Sequence, residues 1–176
     1  IEDNTVIVDD GRADPACAAG TAGALGIVAA GGASPSVARN VITVGHHELY
    51  SGGLVAYGGD GMRLAGNTVQ MERTGFGRIV PDAVGVELLQ VRGPSRFLRN
   101  HIWLGSGVVR GKGARVAYDG AWTVANNFID AGEAVYGTGL EIYQPVASGS
   151  PDLRILHNTL FGGRKLVSRG LAVDLT

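Results

Sequence analysis

The sequence predicts an all-β chain, a parallel β-helix (solenoid) of about six coils running as one domain over residues 1–176. Three observations predict it. An asparagine returns once per turn, a glycine-led apolar segment returns in step with it, and no stretch sustains a helical period.

Six of the seven asparagines, Asn4, Asn40, Asn67, Asn100, Asn127 and Asn158, are followed two positions later by Val6, Ile42, Val69, Ile102, Ile129 and Leu160; only Asn126 falls outside. Five of the six also carry an apolar residue three positions earlier: Val37, Leu64, Phe97, Val124 and Ile155. The second marker is a small residue followed by apolar, variable, apolar, as at Gly26-Ile27-Val28-Ala29, Gly53-Leu54, Gly85-Val86, Gly113-Ala114, Gly139-Leu140 and Gly170-Leu171. From each glycine to the next asparagine the spacing is 14, 14, 15, 14 and 19; from each asparagine to the next glycine it is 22, 13, 18, 13, 12 and 12. The plain coil is therefore about 27 residues, and the longer ones carry insertions.

Apolar alternation in runs of four to six residues, ended by glycines, reads as short strands. One coil cannot bury its own inward face, so stability must come from stacking at roughly 4.8 Å on the next coil. Like then stacks on like: Val6, Ile42, Val69, Ile102, Ile129 and Leu160 form one column, and Ile27, Leu54, Val86, Ala114, Leu140 and Leu171 another. The asparagine suits a corner because it tolerates a left-handed backbone and its amide both donates and accepts. Asn40, Asn67, Asn100, Asn127 and Asn158 are thus expected to be structural, passing hydrogen bonds from coil to coil.

The joint pattern of Gly-apolar-x-apolar, about 14 residues, then Asn-x-apolar resembles the right-handed parallel β-helix repeat of the pectate-lyase-like superfamily over essentially the whole chain. The resemblance implies right-handed coils. It implies no single chemistry, since such solenoids include polysaccharide lyases, glycoside hydrolases, epimerases, phage tailspikes and surface proteins. The superfamily's lyases combine clustered calcium-binding carboxylates with a basic residue on an outer sheet, and its pectin hydrolases use a group of aspartates; neither set matches this sequence residue by residue.

Composition narrows the rest. The 29 glycines in 176 residues exceed the usual share of about 7% without a Gly-X-Y period, which excludes collagen and fits a turn-rich β protein. A net charge of −1, from 15 basic and 16 acidic residues, gives no reason to expect nucleic acid or an anionic membrane. No apolar run approaches the ~20 residues of a membrane helix. The lone Cys17 has no partner for a disulfide or a structural zinc site and reads as a small loop residue. The chain starts at Ile1 with no signal-peptide pattern, so targeting information is missing.

Neither end reads as a cap, which suggests a piece of a longer solenoid or ends that meet another protein chain. Insertions fall at Asp10–Leu25, Glu72–Val84 and around Gln144–Pro151, and the first two should project from one side. Their charges Arg12, Asp14, Glu72, Arg73, Arg78 and Asp82 read as solvated loop residues.

Two outward columns carry candidate chemistry. The first is Val28, Val55, Glu87, Arg115, Glu141, Ala172 on the glycine strand. As a site, Glu87 and Glu141 would lie about 10 Å apart as a carboxylate pair for acid/base work on a sugar. The intervening Arg115 argues for a surface charge stack instead, since it favours the charged form of both acids while a general acid needs a raised pKa. The second column places His101 and Trp103 beside Phe128 and Asp130, then Thr159 and Phe161. Outward aromatics suggest a sugar-stacking platform or a protein contact, with His101, Trp103, Asp130 and Phe161 as ligand-binding residues, or else a surface that a loop covers. Tyr57 and Tyr143 extend a similar surface.

No metal and no cofactor are expected. His46 and His47 are adjacent and point to opposite faces of a strand, and Asp9, Asp10 and Asp14 lack the spacing of a calcium loop. Gly58-Gly59-Asp60-Gly61 lacks the lysine and helix of a phosphate loop. The leading expectation is a secreted or cell-surface bacterial domain that presents a rigid face to a polysaccharide or a protein, or serves as a purely structural segment, and performs no catalysis here. The alternative is a polysaccharide-active enzyme, a lyase or glycoside hydrolase, centred on Glu87, Arg115 and Glu141.

Overall fold

Short apolar runs punctuated by glycine give strands with no helix among the described residues. The computed structural model describes the chain except residues 9–22, 31–33, 46–49, 60, 73–79, 119, 145–151 and 175–176. The strands form three parallel sheets. The first holds β1 (Thr5–Val8), β4 (Val41–Gly45), β7 (Thr68–Glu72), β10 (His101–Trp103), β13 (Phe128–Asp130) and β16 (Thr159–Phe161). The second holds β2 (Gly23–Ala30), β5 (Tyr50–Tyr57), β8 (Val80–Val91), β11 (Val108–Tyr118), β14 (Tyr136–Tyr143) and β17 (Val167–Asp174). The third holds β3 (Ser36–Ala38), β6 (Arg63–Ala65), β9 (Ser95–Leu98), β12 (Trp122–Ala125) and β15 (Leu153–Leu156).

Each strand pairs in parallel with the strand three places along, so the chain is a parallel β-helix. The expected count of six coils is slightly high: β16 and β17 are not joined by a third strand among the described residues, and the last circuit stays incomplete. The third sheet accounts for the apolar residue that precedes each asparagine by three, because Val37, Leu64, Phe97, Val124 and Ile155 are its inward column.

Both predicted aliphatic columns are in register. Val6, Ile42, Val69, Ile102, Ile129 and Leu160 pair in succession, as do Ile27, Leu54, Val86, Ala114, Leu140 and Leu171. With Phe97, Met62, Met71 and Trp122 they fill the lumen. The glycine marker keeps step with the asparagine marker because the two touch across that lumen. A methyl on Gly53 would strike Val69, one on Gly85 would strike Ile102 and one on Gly113 would strike Ile129, so each glycine makes room for the β-branched side chain on the first-sheet strand of the next coil.

The asparagines form a continuous ladder. Backbone N–H and Nδ2 of Asn67 both donate to Oδ1 of Asn100, at 3.0 and 2.9 Å, and Asn100 repeats this onto Asn127 and Asn127 onto Asn158. The remaining amide hydrogen turns back to a carbonyl of the preceding coil, that of Val37 for Asn67 and of Phe97 for Asn127. Asn40, Asn67, Asn100 and Asn127 are buried and fully engaged. One part of the expectation changes. The left-handed residue is the one before each asparagine, namely Asp3, Arg39, Gly66, Arg99, Asn126 and His157, with φ between 52° and 66°. The asparagine is selected by its amide, and its neighbour makes the bend.

Candidate functional site

The outward face of the first sheet is built by the register of β7, β10, β13 and β16. His101 pairs with Phe128, and Trp103 lies between Gln70 and Asp130, with Phe161 beyond. The ring of His101 meets Phe128 edge-on at 4.8 Å between centroids, and Phe128 meets Phe161 at 5.6 Å. Trp103, Phe128 and Phe161 are exposed. The structure therefore brings His101, Trp103 and Phe161 onto one surface.

Asp130 departs from its expected role as an exposed contact. It is only 5% exposed. Its Oδ1 accepts from the N–H of Gly132 at 2.8 Å, and its Oδ2 lies 3.7 Å from Arg164. The side chain is spent on closing the turn after β13, as a short carboxylate commonly does two residues upstream of a backbone N–H.

That turn belongs to a stack. Gly105 and Gly132 both take φ of 65°, and a methyl on Gly132 would strike the carbonyl oxygen of Gly105. The N–H of Glu133 donates to that same oxygen at 2.7 Å. Beside the stack lies a groove of about 380 Å³ lined by Gln70, Trp103, Gly105, Ser106, Gly132, Glu133 and Arg164. An indole face at its wall, with amide, hydroxyl, carboxylate and guanidinium groups around it, can stack on the apolar face of a sugar ring and hydrogen-bond its hydroxyls. Sequence reasoning found Trp103 and missed the other lining residues. The signal was present: Gly105, Gly132 and Gly163 each stand five residues after a ladder asparagine, and they mark the turns that carry Ser106, Glu133 and Arg164.

On the second sheet, Val28, Val55, Glu87, Arg115, Glu141 and Ala172 are in register as expected. They are not an open surface, because Val55 is fully buried and Glu87 nearly so. Arg115 Nη1 donates to Glu87 at 3.1 Å, its Nε stands 3.0 Å from Glu141 without hydrogen-bond alignment, and its guanidinium lies 4.8 Å over the ring of Tyr143. Lys112 donates to Glu141 at 2.7 Å and Tyr50 to Glu87 at 2.9 Å. Burial pushes the Tyr50 hydroxyl far above its ordinary pKa, and the charge and hydrogen bond of Glu87 add to the rise. The Tyr143 hydroxyl rises through burial, partly offset by Arg115 and reinforced by Glu87 and Glu141. Beside Glu141 a second groove of about 450 Å³ is lined by Arg115, Tyr143, Arg169 and Asp174 among others.

Asp82, expected as a loop charge, sits on β8 and pairs with Arg110 at 2.6 Å. Asp9, Asp10, Arg12, Asp14, Cys17, His46, His47, Glu48, Arg73 and Arg78 lie outside the described residues. Among the described residues no group of three or more His, Cys, Asp or Glu is placed to hold a metal ion, and no helix is long and apolar enough to cross a membrane. No family model, curated protein or solved structure matches the chain.

Proposed function

We propose that this chain is a glycan-binding β-helix domain of a secreted or cell-surface bacterial protein, with the Trp103 groove as its sugar subsite. The observation that carries the reading is Trp103 itself, a large aromatic left 39% exposed in the lining of a groove that mixes polar and apolar surface and includes the stacked Gly105 and Gly132 turns. Turns hydrogen-bonded from coil to coil reduce the ordering cost of binding a flexible sugar. The asparagine ladder and glycine marker also support descent from right-handed, pectate-lyase-like solenoids. Glycan-array binding followed by calorimetry tests the proposal. Trp103→Ala should weaken the best neutral ligand at least tenfold, in keeping with the loss of ~1.4 kcal/mol or more of aromatic contact. Equal binding by wild type and variant would remove the groove from consideration.

A second reading, a polysaccharide lyase or glycoside hydrolase, is favoured by one observation: Glu141 and Arg115 border the 450 Å³ groove of the second sheet. Against it stands the engagement of both glutamates by cations, the arrangement of a cross-coil charge stack. Cleavage assays on acidic and neutral polysaccharides, with Glu141→Gln as control, decide between them. Product that disappears in the variant establishes the enzyme.

A further inference from the structure

The third sheet carries a feature that neither groove explains. Its outward column runs Ser36, Arg63, Arg96, Thr123, Arg154. Arg63 and Arg96 are paired in register, one strand spacing apart, and both are exposed. Like charges directly opposite on neighbouring strands repel. Other arginines have acidic partners: Arg154 has Asp152 at 3.0 Å, and Arg39 has Glu2 and Asp3 at 2.9 and 2.7 Å. Among the described residues Arg63 and Arg96 have no ion pair or side-chain hydrogen bond, and neither has Arg99.

Arg99 occupies the left-handed corner before Asn100, at φ of 56°, a place that Arg39 takes at φ of 54° while paired with Glu2 and Asp3. Arginine rarely adopts that conformation, which Gly66 and Asn126 hold at the corners on either side of Arg99. In a chain of net charge −1, the opposed Arg63 and Arg96, and Arg99 three positions after Arg96 at a left-handed corner, thus stand without an acidic partner among the described residues.

We propose that Arg63, Arg96 and Arg99 form a clamp for a tetrahedral oxyanion, a sulfate or phosphate ester, borne on a glycan chain that runs along the coil axis. Guanidinium presents a planar fork of N–H donors that matches such an oxyanion in two-pronged fashion. Two forks at about 4.8 Å can close on one group from both sides, and the repulsion between them becomes attraction to the shared anion. A phosphate monoester carries close to two negative charges, which balances the opposed pair, and a singly charged sulfate ester still offers three oxygens to the two forks where a carboxylate offers two. Thr123, next in the column, and a small groove of about 190 Å³ beside Arg96 extend the seat towards Arg154, whose own charge is already met by Asp152. The choice of a glycan as carrier rests on the reading of the Trp103 face, which lies just past the corner, since His101 follows Arg99 by two residues. Nucleic acid is disfavoured because the column holds no aromatic side chain on which bases could stack.

The test measures binding of dextran sulfate, phosphorylated dextran, plain dextran, polygalacturonate and single-stranded DNA to wild type, Arg63→Gln/Arg96→Gln, Trp103→Ala and Arg110→Gln. The last is a control, being paired with Asp82 on another sheet. Wild type should bind the sulfated or phosphorylated dextran and not plain dextran, and which of the two it prefers identifies the ester. The double variant should lose at least tenfold, with a shallower dependence on salt, while Arg110→Gln matches wild type. Relieving the repulsion should leave the thermal midpoint of the double variant at or above that of wild type, so weakened binding is not misfolding. Unchanged binding in the double variant overturns the clamp, as does a wild-type preference for polygalacturonate or DNA. Loss of ester binding in Trp103→Ala with the arginine variant unchanged preserves the groove and sinks the clamp; loss in the arginine variant with Trp103→Ala unchanged preserves the clamp and counts against the groove.

Discussion

Asn100 donates both its backbone N–H and its Nδ2 to the single Oδ1 of Asn127, each at 2.9 Å. The same oxygen of Asn100 receives the same two donors from Asn67, so every interior asparagine is acceptor on one side and donor on the other. Replacing Asn100 with alanine strands the two donors of Asn67 inside the wall and leaves Oδ1 of Asn127 with only the backbone N–H of residue 100. The expected loss is about 1–3 kcal/mol in unsatisfied partners, read as a fall in the urea midpoint. Asn158→Ala, at a less buried rung, should lose less. Equal effects at the two positions would show that the ladder contributes no more than local turn geometry.

The contact between Gly85 and Ile102 yields a coupled prediction. A methyl at Gly85 meets the Ile102 side chain and lies 2.5 Å from the carbonyl oxygen of Gly113. Gly85→Ala should therefore cost about 1–3 kcal/mol by overpacking. Ile102→Ala removes a fully buried side chain and should cost about 2–5 kcal/mol. The double variant should cost clearly less than the two added together, because each change relieves part of the other. Strict additivity in chemical denaturation would mean that the backbone, and not the isoleucine, demands glycine.

Much of this architecture was legible because a solenoid writes its three-dimensional neighbours into one-dimensional spacing. Val69 and Ile102 share a column because they share a place relative to Asn67 and Asn100. The third sheet was less visible: β6 has only three residues, Arg63–Ala65, and a single inward Leu64, too short for alternation to show. The site was harder still. Asp130 stands on the outward register of β13, and nothing in period-two reasoning shows that its carboxylate folds onto Gly132. Val55 likewise reads as outward and is buried, because exposure depends on what neighbouring side chains cover it. Arg63 and Arg96 were separated by 33 residues, and their opposition emerged only once the register was fixed.

Tyr50 gives a prediction in pH. Its hydroxyl is held far above the ordinary tyrosine value of about 10 by burial and by Glu87, to which it donates at 2.9 Å. A raised pKa in the folded state means that the contribution is complete below about pH 10, where the phenol is protonated in both states, and is lost as pH rises further and the unfolded chain alone ionises. Wild type should destabilise progressively above about pH 10, and Tyr50→Phe should show a flatter alkaline limb. At neutral pH the same variant should lose on the order of 1.5 kcal/mol, the hydrogen bond to a charged acceptor. Parallel alkaline limbs for the two proteins would place the ionising group elsewhere.

Asp130 separates turn construction from ligand contact at the Trp103 groove. If its carboxylate serves to accept from the Gly132 N–H, an amide oxygen can do the same, and Asp130→Asn should retain both stability and glycan affinity to within about 0.5 kcal/mol. Asp130→Ala leaves that N–H without its acceptor and should cost about 1 kcal/mol or more. The loosened Gly132 turn also displaces Glu133 and opens the groove beside Trp103, so affinity should fall in the alanine variant alone. The distance of 3.7 Å to the exposed Arg164 marks a long, solvent-screened pair that asparagine can lose with little effect. A loss of affinity in Asp130→Asn at unchanged stability would reverse the assignment, because it would make the negative charge itself the part that the ligand reads.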